Sequence, residues 1–194
     1  MAKSAARLIV GISGASGTIY GVRLLEMLRA AEIETHLVMS KSAEMTLVYE
    51  TELKPKDVRA LASVHYPVAD IGAAISSGSF PTMGMVIAPC SIRTMSEIAS
   101  GVTASLLSRA ADVVLKEKRR LVLALRETPL HVGHLRSMLT LAEIGAVVAP
   151  IVPAFYNRPK MVDDIINHTC GRLLDLFGID TGTVKRWKGG PAEK

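Results

Sequence analysis

The stretch Arg7-Leu-Ile-Val-Gly-Ile-Ser-Gly-Ala-Ser-Gly17 decides the fold of this chain. A short apolar run typical of a buried strand breaks into a turn rich in glycine and serine, and a helical pattern follows at once. In α/β proteins this order of elements directs backbone N–H groups and a helix N-terminus at a phosphate. We therefore predict a strand, a phosphate-binding turn and a helix, although the same turn residues also occur where nothing binds.

The glycine spacing argues against a nicotinamide dinucleotide site. The glycines of residues 11–17 form G-x-x-G-x-x-G, whereas the dinucleotide fingerprint is G-x-G-x-x-G. The next strand-like run ends at Ser40-Lys41, where no Asp or Glu is present to bind a ribose hydroxyl. A mononucleotide phosphate and a flavin ring suit this region better, because it carries hydroxyl groups at Ser13, Ser16 and Ser40.

Length and composition limit the class of protein. The 194 residues suit one domain with a sizeable core, which we assign to 1–194, with a tail at about 181–194 that packs on a neighbouring subunit. Hydrophobic residues make up 49% of the chain, yet no apolar run approaches the roughly 18 residues of a membrane span. Burial between the subunits of a homo-oligomer explains the surplus of apolar residues better.

Charge and cysteine content favour a small phosphorylated ligand and a reducing compartment. The formal net charge is +5, but aromatic residues make up only 4% and no basic run is interleaved with them, which disfavours nucleic acid. The two cysteines, Cys90 and Cys170, match neither a disulfide framework nor a metal site. We therefore expect no metal site. Because no signal-peptide pattern follows Met1, we also expect a cytoplasmic protein.

Strand-like and helical segments alternate along the chain. The strand-like runs are 7–12, 34–39, 84–89, 120–125 and 145–150. The helical patterns fall near 17–31, 41–49, 55–63, 93–99, 103–117, 131–143 and 160–177. Strands separated by helices of this length predict a single α/β domain with a doubly wound parallel sheet of Rossmann or flavodoxin type, flanked by helices. Ligands should gather at the carboxyl ends of its strands.

Polar residues follow two of these strand-like runs. Ser91, Arg93 and Thr94 offer two hydroxyls and a guanidinium to an anion or a flavin edge, and the alternative is a helix N-cap with a solvated arginine. Arg126 suits a carbonyl or phosphate and Glu127 suits proton transfer. Their alternative is that they pair with each other or cap the next helix.

Four further candidates have structural explanations of comparable weight. Arg109 and Lys116 lie seven residues apart on one helix face with Asp112 between them, so an ordinary ladder of salt bridges accounts for all three. Tyr156 and Arg172 are separated by a helix, and only the fold decides whether they meet.

Taken in order, these motifs resemble the UbiX-type flavin prenyltransferases, in particular the enterobacterial members of ubiquinone biosynthesis. These enzymes belong to the flavoprotein family that shares the fold of the homo-oligomeric flavin-containing cysteine decarboxylases. The likeness rests on residues 11–17, 20–25, 35–41, 75–80, 89–94, 109–117, 126–131, 153–156 and 186–187. Each motif is modest alone, and the specificity lies in their order. One departure is Leu125, where the family often has proline.

The resemblance implies transfer of a dimethylallyl group from dimethylallyl phosphate to N5 and C6 of reduced FMN, which gives prenylated FMN for UbiD-type decarboxylases. It implies FMN contacts from Gly14, Ala15, Ser16, Ser40, Ser91, Ile92, Arg93, Thr94 and Arg126. It places the phosphate of the donor against Tyr156, Arg172, Arg109 and Lys116. It assigns catalysis to Glu127, Lys116, Ser16 and Glu50, without a metal, in sites built between the subunits of a dodecamer.

Two other functions are compatible with the same fold. An FMN-dependent decarboxylase would need a histidine base near the flavin and an asparagine in a substrate loop, and neither Asn157 nor Asn167 lies in such a pattern. A non-catalytic flavin carrier or accessory subunit would need only the first three ligand loops. Such a protein would have no use for the remaining candidate residues, Lys116, Glu127, Tyr156 and Arg172.

Overall fold

The computed structural model describes residues 6–187 and Gly189, which form a six-stranded parallel sheet between two layers of helices. The strands are β1 (Arg7–Ile12), β2 (Glu34–Met39), β3 (Val64–Tyr66), β4 (Gly84–Cys90), β5 (Arg120–Leu125) and β6 (Val147–Val148). The helices are α1 (Thr18–Ala30), α2 (Lys41–Glu50), α3 (Pro55–Arg59), α4 (Ile92–Ala99), α5 (Leu106–Lys116), α6 (Val132–Glu143) and α7 (Val162–Asp175). A 3₁₀ turn covers Ala74–Ser76.

The strand order is β3-β2-β1-β4-β5-β6, and each neighbouring pair is parallel. The chain winds outward from β1 in one direction through β2 and β3, then returns to β4 on the other side of β1. This arrangement confirms the predicted doubly wound sheet, and it puts the topological switch point between β1 and β4.

Each face of the sheet has its own hydrophobic core. Leu8, Val10 and Ile12 of β1 pack with α1, α2 and α7 on one face, while Ile9 packs with α4, α5 and α6 on the other. Because successive side chains of a strand point to opposite faces, an apolar run such as β1 supplies both cores. At Gly11 a Cβ would lie 2.7 Å from Leu107 Cδ1, so glycine allows α5 to approach β1 closely.

The structure corrects several predicted boundaries. The helix predicted near 55–63 stops at Arg59, because Ser63 and Thr35 exchange hydrogen bonds of 3.0 Å that lead the chain into the short strand β3. The strand predicted at 145–150 is regular only at Val147–Val148, although Ala149 N and Ile151 N still donate to Leu123 O and Leu125 O at 2.8 and 2.9 Å. Three residues of β3 are too few for a periodic signal, which is why this strand was not predicted.

The described part of the C-terminal tail lies along α7 of its own chain. At Gly171 a Cβ would lie 2.6 Å from both Thr183 Oγ1 and Val184 Cγ2, so glycine lets residues 181–184 pack closely on the helix. Arg186 pairs with Asp175 at 2.9 Å. Residue 188 and residues 190–194 lie outside the described residues, and packing of the tail on a neighbouring subunit stays a prediction. Within the described ranges, no helix is long and apolar enough to cross a bilayer.

Candidate active site

A cavity of about 440 Å³ opens at the carboxyl ends of the strands, beside the switch point. Its volume lies in the range of small-molecule sites. Seven of the residues predicted from the sequence line it: Gly14, Ser40, Ser91, Ile92, Arg93, Thr94 and Glu127. The sequence therefore located the cavity, since the loops after β1, β2, β4 and β5 meet there as predicted.

Backbone hydrogen bonds join the loops around this cavity. Ser40 N donates to Ile12 O at 3.0 Å, which joins the loops after β2 and β1. Arg126 N donates to Cys90 O at 3.1 Å and joins the loops after β5 and β4. Because these bonds continue the sheet ladder past the ends of the strands, the cavity has a pre-formed rim.

Two capped helix N-termini point into the cavity. Ser40 caps α2, and its hydroxyl accepts from Ala43 N at 3.0 Å. Ser91 caps α4, and its hydroxyl accepts from Thr94 N at 3.3 Å. The proposed N-cap role of Ser91 is thus confirmed, and it leaves unpaired N–H groups of the first turn beside the cavity. Lys41 adds a positive charge there, so the site suits an anion.

At the N-terminus of α1, the N–H groups that the glycine-rich turn was predicted to direct at a phosphate face a carboxylate of the same chain. Glu50 accepts hydrogen bonds from Gly17 N at 2.9 and 3.1 Å and from Thr18 N at 3.0 Å. Burial raises the pKa of Glu50, but hydrogen bonds from Ser16, Thr18 and Gly17 outweigh it and lower the pKa below its ordinary value. A carboxylate of the chain itself therefore occupies the place of the phosphate.

The turn before α1 reaches the cavity only in part. Among the described residues Gly14 lines it, while Ala15 and Ser16 do not. Ser16 is exposed, and its side chain hydrogen-bonds to Glu50. Gly17 has a φ of 98°, a conformation that favours glycine, and this turns the chain into α1. Flavin contacts from Ala15 and Ser16 stay predictions.

The arginine of the third loop is exposed and paired. The Arg93 side chain is 83% exposed, and its Nε lies 2.9 Å from Oε1 of Glu97, one helical turn further on. Glu97 lines the cavity and is mostly buried. The guanidinium thus stays at the rim of the cavity with its terminal nitrogens free to meet an anionic ligand.

Arg126 and Glu127, which follow β5, differ in their position relative to the cavity. Glu127 lines the cavity, and its Oε1 accepts from Thr128 N at 2.9 Å. Arg126 is exposed and is not among the described lining residues, although its backbone N–H holds the loop to β4. Within residues 6–187 the two side chains form no ion pair with each other, so the pairing alternative is wrong. Glu127 is thus the acidic side chain of this loop that lines the described cavity.

The four residues predicted for the donor phosphate do not meet in one chain. Arg109 and Lys116 lie on α5, which packs on one face of the sheet, whereas Arg172 lies on α7, which packs on the other. In the part of the chain that the structure describes, none of them lines the cavity, and neither does Tyr156. A phosphate site that uses both helices needs a second copy of the chain.

Each of these residues has a partner in its own chain. Arg109 pairs with Asp112 at 2.9 Å, as the salt-bridge alternative predicted, but Lys116 pairs with its neighbour Glu117. Arg172 pairs with Asp175 at 2.6 Å. The ladder predicted for α5 is therefore only half present, since Lys116 takes a different partner.

Tyr156 belongs to a polar cluster that the sequence did not reveal. Its hydroxyl lies 2.9 Å from Nε2 of the buried His168, and its ring stands edge-on to His168 and Trp187. Burial, and then the charge of Arg172, lower the pKa of His168. The spacing of His168, Arg172 and Asp175 on one helix face was the signal available in the sequence.

The remaining lining residues were also missed. They are Lys41, Ser42, Val68, Glu97, Ala104, Ser105 and Leu107. Lys41 and Ser42 directly follow a predicted residue. The others come from the connection after β3 and from α4 and α5, which reach the cavity by tertiary packing.

Fold and site together define a flavoprotein-like α/β protein with a mononucleotide-type cavity at the switch point. A model of the Flavoprotein family matches residues 1–174. The flavin prenyltransferase UbiX of Escherichia coli K12 is 61% identical over 94% of this chain and 98% of its own length. That of Thauera aromatica is 54% identical over 94% of each chain. The chain belongs to the Flavoprotein family and, within it, to the UbiX flavin prenyltransferases.

Solved structures agree with this assignment. AnUbiX (PadA1), in complex with FMN and dimethylallyl pyrophosphate, superposes with a TM-score of 0.96 at 49% identity, covering 97% of this chain and 100% of that one. A dodecameric FMN-dependent UbiX-like decarboxylase from Escherichia coli O157:H7 gives a TM-score of 0.92 at 50% identity, covering 94% and 100%. The predicted flavodoxin-like fold is confirmed.

Proposed function

We propose that this chain transfers a dimethylallyl group from dimethylallyl phosphate to N5 and C6 of reduced FMN, making prenylated FMN for UbiD-type decarboxylases. The observation that carries the proposal is the cavity of about 440 Å³ between the capped N-termini of α2 and α4, with Glu127 on its lining. The high identity to flavin prenyltransferases supports the same reaction.

The residues at the cavity fit FMN. The N-termini of α2 and α4 and the cation of Lys41 suit its anionic end. The hydroxyls of Ser40, Ser91 and Thr94 supply donors and acceptors for its polar groups. Reduced FMN supplies the nucleophilic N5 and C6, and the chain holds and orients it.

Transfer breaks the allylic C–O bond, and the phosphate leaves with the electron pair. C1 of the allyl group bonds to N5, which releases a proton. The remaining double bond then takes up a proton at C2, and the tertiary cation formed at C3 bonds to C6, which releases its proton, so that one net proton passes to the phosphate. Glu127 is placed at the cavity to accept one of the released protons. Arg109, Lys116 and Arg172 would stabilise the leaving phosphate by their positive charge. Cover of the cavity by a second subunit would keep water from the allyl cation and so limit its hydrolysis.

The donor site would be assembled between copies of this chain. Because α5 and α7 lie on opposite faces, their cations can surround one phosphate only when two subunits meet. On α6, Val132, Leu135 and Leu139 form an apolar stripe in which each residue is at least 51% exposed. Such a stripe suits burial against another subunit. We take the assembly to be a dodecamer, the state of the Escherichia coli O157:H7 relative.

We place the protein in the cytoplasm. Cys90 and Cys170 are buried free thiols, which fits a reducing compartment. Burial raises the pKa of each to about 12, so neither serves as a nucleophile at neutral pH.

The proposal is tested by activation of a recipient enzyme. Purified protein is incubated without oxygen with reduced FMN and either dimethylallyl phosphate or dimethylallyl diphosphate, and the filtrate is added to a UbiD-type apo-decarboxylase. We expect decarboxylase activity with the phosphate donor. Activity without any prenyl donor would favour the flavin-carrier alternative. If this protein instead released CO₂ from an acid substrate by itself, the decarboxylase alternative would replace the proposal.

A further inference from the structure

Ser13 joins two loops of the cavity through its side chain. It is completely buried, and its hydroxyl donates to Pro89 O at 2.9 Å and accepts from Ser91 N at 2.7 Å. Its backbone N–H also donates to Pro89 O, at 3.2 Å. Ser13 directly follows β1, whereas Pro89 lies at the end of β4 and Ser91 directly follows that strand, so this one hydroxyl spans the switch point.

The partner of the Ser13 hydroxyl is the residue that starts α4. Ser91 caps this helix, and its hydroxyl accepts from Thr94 N and donates to Thr94 Oγ1 at 3.2 Å. Ser91 and Thr94 line the cavity, whereas Ser13 is not among the described lining residues. The hydroxyl of Ser13 thus acts on the cavity only through the N-terminus of α4.

We propose that Ser13 is a positioning residue that fixes the N-terminus of α4 for flavin binding. The inference rests on the proposed function in that FMN is the ligand of this cavity. In Ser13→Ala the N–H of Ser91 loses its acceptor, and Pro89 O loses one donor. The start of α4 then has no side-chain link to the loop after β1, so its N–H groups are less well ordered toward an anion.

A matched control lies at the opposite end of the same two strands. The hydroxyl of Thr82 is 3.0 Å from Arg7 O, at the start of β1, and accepts from Gly84 N of β4 at 3.2 Å. Thr82→Val removes this hydroxyl at nearly constant volume, and Thr82 is not among the described residues that line the cavity. The two substitutions therefore remove similar hydroxyl-mediated hydrogen bonds between the β1 and β4 segments. The bonds of Ser13 lie next to the cavity, and those of Thr82 do not.

The test is a fluorescence titration of the apo-protein with FMN, together with denaturant unfolding of each apo-variant. We expect Ser13→Ala to weaken FMN binding by at least about tenfold, with an unchanged KM for dimethylallyl phosphate, and Thr82→Val to leave the dissociation constant within about twofold of wild type. Ser13→Cys keeps a weak donor and acceptor at similar size, so its affinity should be intermediate, and it provides the measurement if Ser13→Ala does not fold.

Wild-type FMN affinity in Ser13→Ala, or an equal loss in Thr82→Val, would overturn the assignment. If wild type binds FMN but forms no prenylated flavin, the proposed function fails, while the effect of Ser13 on FMN binding can still be measured.

Discussion

The carboxylate of Glu50 lies 2.9 and 3.1 Å from the backbone nitrogen of Gly17, so the N-terminus of α1 binds an anion that the chain itself supplies. Glu50 is the last residue of α2, where a negative charge is unfavourable for its own helix. The N–H groups of α1 offset this cost. The contact leaves the N-termini of α2 and α4 for the ligand.

Glu50→Gln should destabilise the protein at pH 7 by about 1 kcal/mol, a figure at the low end because Glu50 is exposed. The lowered pKa of Glu50 means that its stabilisation is fully present above its ordinary value of 4.5. It is lost as the pH falls through the lower pKa of the folded state. Urea unfolding of wild type and variant at several pH values should therefore give free energies of unfolding that converge as the pH falls below 4.5.

Glu52→Gln is the matched control for this prediction, because Glu52 lies two residues away and accepts no hydrogen bond among the described residues. It should leave stability within about 0.5 kcal/mol of wild type. If the difference in free energy of unfolding between Glu50→Gln and wild type stayed constant from pH 7 to pH 3, this result would contradict a role for the ionised carboxylate.

Gly14→Ala should weaken FMN binding by at least about tenfold, because over-packing at this site moves one wall of the cavity. A Cβ at residue 14 would lie 2.3 Å from Ser42 Cβ, so the start of α2 has to shift. Equilibrium dialysis with FMN measures the effect. At Gly72 the nearest atom to an added Cβ is 3.7 Å away, so Gly72→Ala should bind FMN normally. Equal FMN affinities in the two variants would show that the close packing of Gly14 against Ser42 is unimportant for binding.

The sequence predicted the sheet because β1, β2, β4 and β5 are apolar runs that each end in polar or small residues. The same feature located the loops of Ser40, Ser91 and Glu127, since the carboxyl ends of parallel strands share one edge. It could not reveal Glu97 or Ser105, which follow no strand and reach the cavity through helix packing.

The occupant of the α1 N-terminus could not be predicted either. Glu50 is 33 residues away from Gly17 along the chain, and the glycine-rich turn looks the same whether a phosphate or a carboxylate faces it. The separation of Arg109 and Arg172 onto opposite faces is likewise a property of the topology, because neither local sequence indicates which face its helix covers.

Glu127→Gln should leave FMN bound and slow prenylation by about 100-fold or more, since the amide cannot accept the proton. Stopped-flow absorbance of the flavin under anaerobic conditions follows the step, and FMN titration checks binding. Glu143→Gln is the control, because Glu143 lies at the end of α6 and is not among the described lining residues. This variant should prenylate FMN at the wild-type rate. An unchanged rate in Glu127→Gln would remove this residue from the mechanism.

Mixed oligomers test whether donor sites lie between copies. Lys116→Ala and Arg172→Ala should each be inactive at low dimethylallyl phosphate. Co-expression of the two should restore about a quarter of the wild-type sites, because each site takes α5 from one copy and α7 from another.

The control mixture joins Lys116→Ala with Arg109→Ala. Both residues lie on the same α5, so each site inherits one damaged helix whichever copy supplies it, and no activity should return. Recovery of activity in this control mixture would contradict a site that combines α5 of one copy with α7 of another. A lack of recovery in the first mixture would contradict it as well.

The most direct test of the account is the mass of the flavin product. Purified protein, reduced FMN and dimethylallyl phosphate are incubated without oxygen, and the released flavin is analysed by mass spectrometry alongside an assay for free phosphate. We expect a flavin heavier by one C5 prenyl unit, with phosphate released in equal amount. Unmodified FMN, with dimethylallyl diphosphate also failing as donor, would contradict it.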